Sequence, residues 1–441
     1  MSLPSESFVL RPEWLLVLGR DALAPAGSAL VVRDRSIAAV LAPGEAPPAD
    51  LPLVELPGHA VLPGLVNAHG PLAMSLLRGL ADDHLLESWL QEHIWPAEGR
   101  WVGPEFVADG TELAAAEMIR SGTTCCADMY FFPEVSAAVL SRVGMRSQVA
   151  APIIRFPNAW SNGADAAIHQ ALELLDRFRD DPLCNIAFGP HSAYVLEADT
   201  LARIATLAAE VGRPVQIHLH ETATEVRDYL ALHGRTPLAH LGELGLLGPS
   251  LQAVHVTQVS QGEIEQLARH GASVVHCPQS NMRLASGICP VPALRAAGVT
   301  VALGTDGAAS NNGLDLFREL NTALLLAKSS RQDPTALRAI DALRMATCDG
   351  ARALGLDGQI GSLEAGKRAD VIAVDLSAPA QQPVYDPLSQ LAYTGIGQCV
   401  RHVWIDGVPR LVDGELPGMD VEDLTARARR WAARIRGGST A

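Results

Sequence analysis

Eight short apolar runs recur along the middle of the chain, and each is followed by a longer stretch of helical character. They are VLPGLVNAH ending at His69, TTCCADMY around Asp128, SQVAAPII to Ile154, NIAFGPH ending at His191, PVQIHLHE through Glu221, LQAVHVTQ around His255, ASVVHCP around His276 and VTVALGTD ending at Asp306. Runs of this length with little polar alternation read as strands buried on both faces, the pattern of a parallel sheet. Between His191 and His218, Leu201, Ile204, Ala205, Ala208 and Val211 fall on one helical face, and Gly212 supplies a stop. Segment 104–122 opens on Pro104 and closes on Gly122, the asymmetry expected of a helix's two ends. Eight such units predict an α/β fold, a (β/α)8 TIM-type barrel, with an open doubly wound sheet as the alternative. The polar positions favour the barrel. Seven of the eight runs carry His or Asp at or near their C-terminal ends, where barrel active sites are built.

The flanks follow a different rhythm, with short alternating strands such as ALVVRDRSIAAVL, RADVIAVDL and VRHVWIDGVPRLVDG. Asp34–Arg35 and Asp406–Gly407 stand at hairpin-like turns, and the second is the stronger signal because Asp-Gly accepts positive φ readily. Neither flank can bury a good core alone, so the two ends are expected to combine into one small β-sandwich domain. The expected division is 1–60 for the N-terminal part of the sandwich, 61–358 for the barrel, and 359–441 for the rest of the sandwich plus a terminal helix. That helix, VEDLTARARRWAARIRG, is expected to pack on the body or at an oligomer contact.

Composition narrows the function. Hydrophobic residues at 48% and charged residues at 19% describe an ordinary globular chain. With 34 Lys and Arg against 49 Asp and Glu, the net charge is −15, and no basic cluster is present to replace counterions on a nucleic acid. No apolar stretch is long enough to span a membrane, and the first residues lack the basic and apolar regions of a secretory signal. The seven cysteines, odd in number and without a CxxC pair, fit a reducing cytoplasm rather than a disulfide framework.

Four polar positions would converge at the mouth of such a barrel: His69, His218, His255 and Asp306. Imidazoles plus one carboxylate, with no thiolate, suit zinc or another divalent ion at a catalytic site. Glu221, three residues after His218, is placed to move protons beside a metal-activated water, or else to cap the helical segment TATEVRDYLALHG. The segment GSLEAGKR resembles a phosphate-binding loop but has Arg368 where Ser or Thr is needed.

Taken together, VLPGLVNAH, QIHLHE, VHVTQ, HCPQSNMRLASG, LGTDGAASNN and GSLEAGKRADVIAVDL resemble the amidohydrolase superfamily. More narrowly, with MSLLRGLADD and WLQEHIWPAE, they resemble the 5-methylthioadenosine/S-adenosylhomocysteine deaminases. The resemblance implies a metal-dependent barrel in which His69, His218 and Asp306 bind one zinc ion. It further implies that Asp306 takes a proton from the attacking water, that His255 orients that water, and that Glu221 protonates the purine ring before ammonia leaves. Glu98 would hold the ribose hydroxyls, His191 would contact the substrate, and Trp89 would line the purine pocket. A homo-oligomer is also implied.

One position departs from the family. Its first strand ends in His-x-His, whereas here the chain reads Asn67-Ala68-His69-Gly70-Pro71, and proline offers no metal-binding atom on its side chain. His255, an extra water, or His84 in the nearby loop could fill the vacancy. Gln279, and Ala193 in His191-Ser-Ala-Tyr194, are smaller departures. The expected activity is hydrolytic deamination of an adenosine-type nucleoside. The alternatives are a relative redirected to another heterocycle and a metal-deficient nucleoside-binding pseudoenzyme.

Overall fold

The computed structural model describes residues 3–19, 22–84 and 86–437, and it contains two sheets. The first is mixed and draws on both ends of the chain: β1 (Phe8–Leu15), β2 (Ala29–Arg33), β3 (Ser36–Leu41) and β4 (Leu53–Pro63) come from the N-terminal flank. The second sheet has eight strands: β5 (Leu65–Asn67), β6 (Thr123–Met129), β7 (Arg146–Ile153), β8 (Cys184–Pro190), β9 (Val215–Leu219), β10 (Leu251–His255), β11 (Ser273–His276) and β12 (Val301–Leu303). The C-terminal flank then returns to the mixed sheet as β13 (Val371–Asp375), β14 (Val400–Ile405) and β15 (Val408–Leu411). The mixed sheet runs β15-β14-β13-β4-β1-β2-β3, and the eight-stranded sheet runs β12 through β5 in sequence order. That order, with parallel pairing between neighbours such as β7–β8, β9–β10 and β10–β11, is the expected (β/α)8 barrel, and each apolar run supplies one strand.

By internal contacts the chain forms two compact units: residues 1–67, 116–125 and 315–420, and residues 68–115, 126–314 and 421–441. In the first, Trp404 is fully buried with its ring 5.5 Å from that of Phe8, among Leu10, Leu30, Ile37 and Val371. Both expected hairpins are present there. Asp34 and Arg35 have φ of 50° and 66°, and Asp406 and Gly407 have 54° and 71°, so each two-residue turn lies in the left-handed region that matches strand twist. Arg35 adopts it without being glycine because its backbone and its guanidinium are both bonded to Glu6.

In the second unit the strands are almost wholly buried, which explains their lack of alternation. The helix Ala198–Val211 buries Leu201, Ile204 and Ala208 and ends on Gly212 at φ 63°. Val211 departs from its expected place. It is 41% exposed, because in the last turn the chain is already turning out through Gly212. Helix Pro104–Arg120 matches the segment expected between Pro104 and Gly122. The terminal helix Val421–Gly437 packs through Trp431 and Ile435 into an apolar cluster with Phe106 and Met74. Arg427 bonds Asp109 and Glu112, and Trp431 Nε1 donates to Asp109 at 2.8 Å. Among the described residues the seven cysteines form no disulfide, and no helix is long and apolar enough to cross a membrane.

Candidate active site

The residues expected to carry chemistry come together at the C-terminal ends of the strands, all within the second unit. His69 follows β5, His191 follows β8, His218 lies in β9, Glu221 follows β9, His255 ends β10 and Asp306 follows β12. The chain bends sharply at these points: His220, His255 and Asp306 have φ of 54°, 78° and 59°. Non-glycine residues rarely hold such angles unless their surroundings force them, and they concentrate at functional sites. Two glycines allow the close approach. A Cβ on Gly304 would lie 3.0 Å from the backbone of His69, and one on Gly307 would lie 2.9 Å from the Pro71 ring and from the Met74 sulfur.

Hydrogen bonds fix each imidazole's tautomer, and so decide which lone pair faces the centre. His69 gives its Nδ1 proton to Gln216 Oε1 at 2.8 Å, and His218 gives its Nδ1 proton to the His191 carbonyl at 2.8 Å. Their Nε2 atoms then meet at 3.3 Å, and His69 Nε2 lies 3.6 Å from Asp306 Oδ1. Ligands about 2.0–2.1 Å from a tetrahedral zinc stand about 3.4 Å apart, so these spacings are those of two edges of a zinc site. Imidazole lone pairs aimed at one another beside a carboxylate make a corner for positive charge. The set is incomplete, however. Among the described residues no group of three or more His, Cys, Asp or Glu side chains is placed so that it could hold a metal ion. Pro71, whose ring lies beside Gly307, brings no metal-binding side-chain atom to the set.

Two of the conceivable substitutes fail on geometry. Asn281 Nδ2 stands 3.0 Å from His255 Nδ1, and with the amide in this orientation the proton of the neutral ring sits on Nε2, 3.7 Å from Glu221 Oε2, with no lone pair there for a metal. His84 is exposed, its ring centroid 4.2 Å from that of His93 with the planes tilted by 37°.

The carboxyl groups are driven in opposite directions. Burial pushes Glu221 up to about 8, reinforced by the charge of Asp306. Burial acts on Asp306 too, but a hydrogen bond and charge from His69 in its doubly protonated form, with the Ser280 hydroxyl at 2.6 Å, hold it well below the usual carboxylate range. Burial lowers His191 and His255 to about 4, leaving both neutral. Glu221 Oε2 stands 3.7 Å from His255 Nε2. The helix cap after β9 falls to Thr222, which accepts from Glu225 N, while Glu225 accepts from Glu221 N at 2.7 Å and His220 N at 3.1 Å. The Glu221 side chain is therefore not the cap.

Trp89 is buried among Ala73, Met74, Leu77 and Tyr130. Glu98, half-buried on helix Trp95–Trp101, accepts from Tyr130 Oη at 2.7 Å.

Sequence reasoning missed the glutamines. Gln216 Nε2 donates to the Ala68 carbonyl at 3.1 Å and to Gln252 Oε1 at 2.8 Å, and Gln252 and Gln148 exchange bonds at 2.7 and 3.1 Å. The Ala68 carbonyl can only accept, so it fixes the Gln216 amide with its oxygen toward His69. A lone Gln inside each of β7, β9 and β10 was the available signal.

Proteins of similar sequence and fold are known. A 5-methylthioadenosine/S-adenosylhomocysteine deaminase of Saccharophagus degradans is 50% identical over 382 residues, 87% of this chain and 86% of that protein. The Halobacterium salinarum deaminase of the same name is 44% identical over 427 residues, 95% and 97% of the two chains. The crystal structure of an adenosine deaminase from Xanthomonas campestris with bound zinc superimposes with a TM-score of 0.95 at 48% identity, over 98% of this chain and 100% of that one. An atrazine chlorohydrolase from Arthrobacter aurescens, at 22% identity and a TM-score of 0.91 over 96% and 99% of the two chains, shares the fold. The amidohydrolase family profile spans residues 60–410, and with relatives this similar over most of its length the chain belongs to the amidohydrolase family.

Proposed function

We propose that the protein is a hydrolytic deaminase of adenosine-type nucleosides, with 5-methylthioadenosine or S-adenosylhomocysteine as substrate, releasing ammonia and the inosine-type product. The observation that carries the reading is the meeting of His69, His218 and Asp306 at the strand ends, with Glu221 3.7 Å from His255 beside them; the two carboxyl groups there are driven apart. Glu221 keeps its proton at neutral pH while Asp306 has lost its own. Groups driven apart in this way are suited to act as acid and base in one site. His69, His218 and Asp306 would hold a divalent ion, which when bound makes a water acidic enough to attack at neutral pH. Asp306 is then the base for that water's proton, and neutral His255 directs the water through its Nε2–H. Glu221 would give its proton to the purine ring nitrogen next to C6 as the water attacks; Asp306 would then pass the water's proton to the amine, which leaves as ammonia, while the new C6 hydroxyl returns a proton to Glu221 and becomes the product carbonyl. Glu98 would accept from the ribose hydroxyls, His191 would contact the base, and Trp89 would close the pocket around it.

The catalytic part would be the barrel of residues 61–358, with 1–60 and 359–441 supplying the sandwich. Cysteines outside disulfides fit a cytoplasmic protein, and we expect a homo-oligomer. The test is ammonia release from 5-methylthioadenosine by metal-stripped protein and by the same sample given one equivalent of zinc. Zinc-dependent release is expected, and none in either sample would overturn the reading. Glu98→Ala separates a nucleoside from another heterocycle: KM should rise sharply if ribose is the handle.

A further inference from the structure

Tyr130 lies at the end of β6, with its ring in the apolar cluster that holds Trp89 and Ile94 and only 5% of its surface exposed. Its hydroxyl donates to Glu98 Oε1 at 2.7 Å. The phenol is held well above its ordinary pKa, by burial first and then by Glu98 and Asp128, so it keeps its proton and acts as a donor. We propose that Tyr130 is a positioning residue for sugar recognition, holding Glu98 as an anion and leaving Oε2 to accept from a vicinal diol. The proposal rests on Glu98 being the ribose-binding carboxylate.

The chemistry makes that hold necessary. A cis-diol presents two hydroxyl donors, and a carboxylate matches both only when ionised, because a protonated carboxyl has lost an acceptor. Burial lifts Glu98 to about 7, and the Tyr130 hydrogen bond is what works against that rise. Tyr130 is the titratable group that bonds Glu98 from a packed element, and Asp128 stands on the same strand behind it. Without the phenol the carboxyl would protonate at a higher pH, and its free oxygen would lose its fixed direction. Diol affinity falls as pH drops through the Glu98 pKa, so in Tyr130→Phe that fall should move to higher pH.

The experiment is calorimetric titration of the full-length protein with 5-methylthioadenosine and with its 2′,3′-dideoxy analogue between pH 6 and 9, which requires no turnover. Tyr130→Phe should weaken the diol-bearing nucleoside about tenfold at pH 7, the scale of a hydrogen bond to a charged group. The loss should shrink toward pH 9, with the dideoxy analogue unaffected. Glu98→Gln, which cannot ionise, should abolish both the pH dependence and the preference for the diol. Equal weakening of both nucleosides by Tyr130→Phe would mean a structural role and overturn the proposal, as would no weakening at all. If Tyr130→Phe does not fold, pH dependence that survives in Glu98→Gln overturns it independently. If the wild-type protein binds both nucleosides equally, the ribose reading of Glu98 fails first, and the role of Tyr130 fails with it.

Discussion

Replacing Pro71 by histidine should tighten zinc binding by at least about 100-fold. Pro71 has φ −68° and ψ 95°, a conformation open to any residue, and it precedes the short helical turn Leu72–Leu77. Its ring reaches the neighbourhood of Gly307, next to Asp306, and it lies two residues beyond His69. An imidazole at this position would start beside the corner where His69, His218 and Asp306 already present donors 3.3 and 3.6 Å apart. Loss of a group that only supports a metal ligand typically costs about 10–100-fold in affinity. A direct ligand should be worth at least the upper end, about 2.7 kcal/mol at roughly 1.4 kcal/mol per tenfold. The measurement is the zinc Kd of metal-stripped wild type and Pro71→His, by competition with a chromophoric chelator, with ammonia release followed on the same samples. An affinity unchanged within threefold would refute the reasoning. It would show either that position 71 does not face the metal corner or that three donors already give full affinity.

Other outcomes follow from the same geometry. Gln216→Leu removes the acceptor of the His69 Nδ1 proton and should weaken zinc about 10–100-fold, whereas Gln252→Leu, one link further away, should lower the urea midpoint and leave the zinc Kd nearly unchanged. Glu221→Gln should lower kcat by about 10²–10⁴, the usual contribution of a general acid, with nucleoside affinity preserved in a binding titration. Because Glu221 is lifted to about 8 and works in its protonated form, kcat/KM should decline as pH rises through about 8; a rate still climbing at pH 9 would exclude it as the acid. Arg427→Ala leaves Asp109 without its guanidinium, while Glu112 keeps Arg142 at 3.0 Å, and should cost about 1.5–3 kcal/mol of stability, read as a lower midpoint of denaturant unfolding.

The barrel could be read from the chain because its strands are buried on both faces, which leaves runs such as TTCCADM and SVVH with almost no outward side to advertise. The site could be read because the fold displays its chemistry at strand ends, so one His or Asp at the close of seven runs carried the signal. What the pattern could not give is partnership across distance. Gln216 meets His69 across 147 residues, and Tyr130 meets Glu98 across 32. Nothing local to QIHLHE says that its glutamine faces inward onto an imidazole. The two hairpins make the same point on a smaller scale. Asp406–Gly407 is a turn by its own propensity, while Asp34–Arg35 is an equally sharp turn because Glu6 bonds Arg35.

Pro71 shows the opposite case, a residue whose chemistry was plain in the sequence and whose consequence needed the structure. A proline cannot bind metal, but only the surroundings show what could replace it. His255 is held by Asn281 in the tautomer that donates from Nε2, and His84 is occupied with His93 at the surface. The donors proposed for a metal are then His69, His218 and Asp306, and the tautomers of the two imidazoles are set by Gln216 and by the His191 carbonyl. These hydrogen bonds come from the protein alone, so the lone pairs already face the corner before a metal binds. The missing histidine should therefore appear in how long the ion stays rather than in how the nucleoside is oriented. A zinc-binding defect with normal nucleoside affinity would support that division, and a joint loss would contradict it.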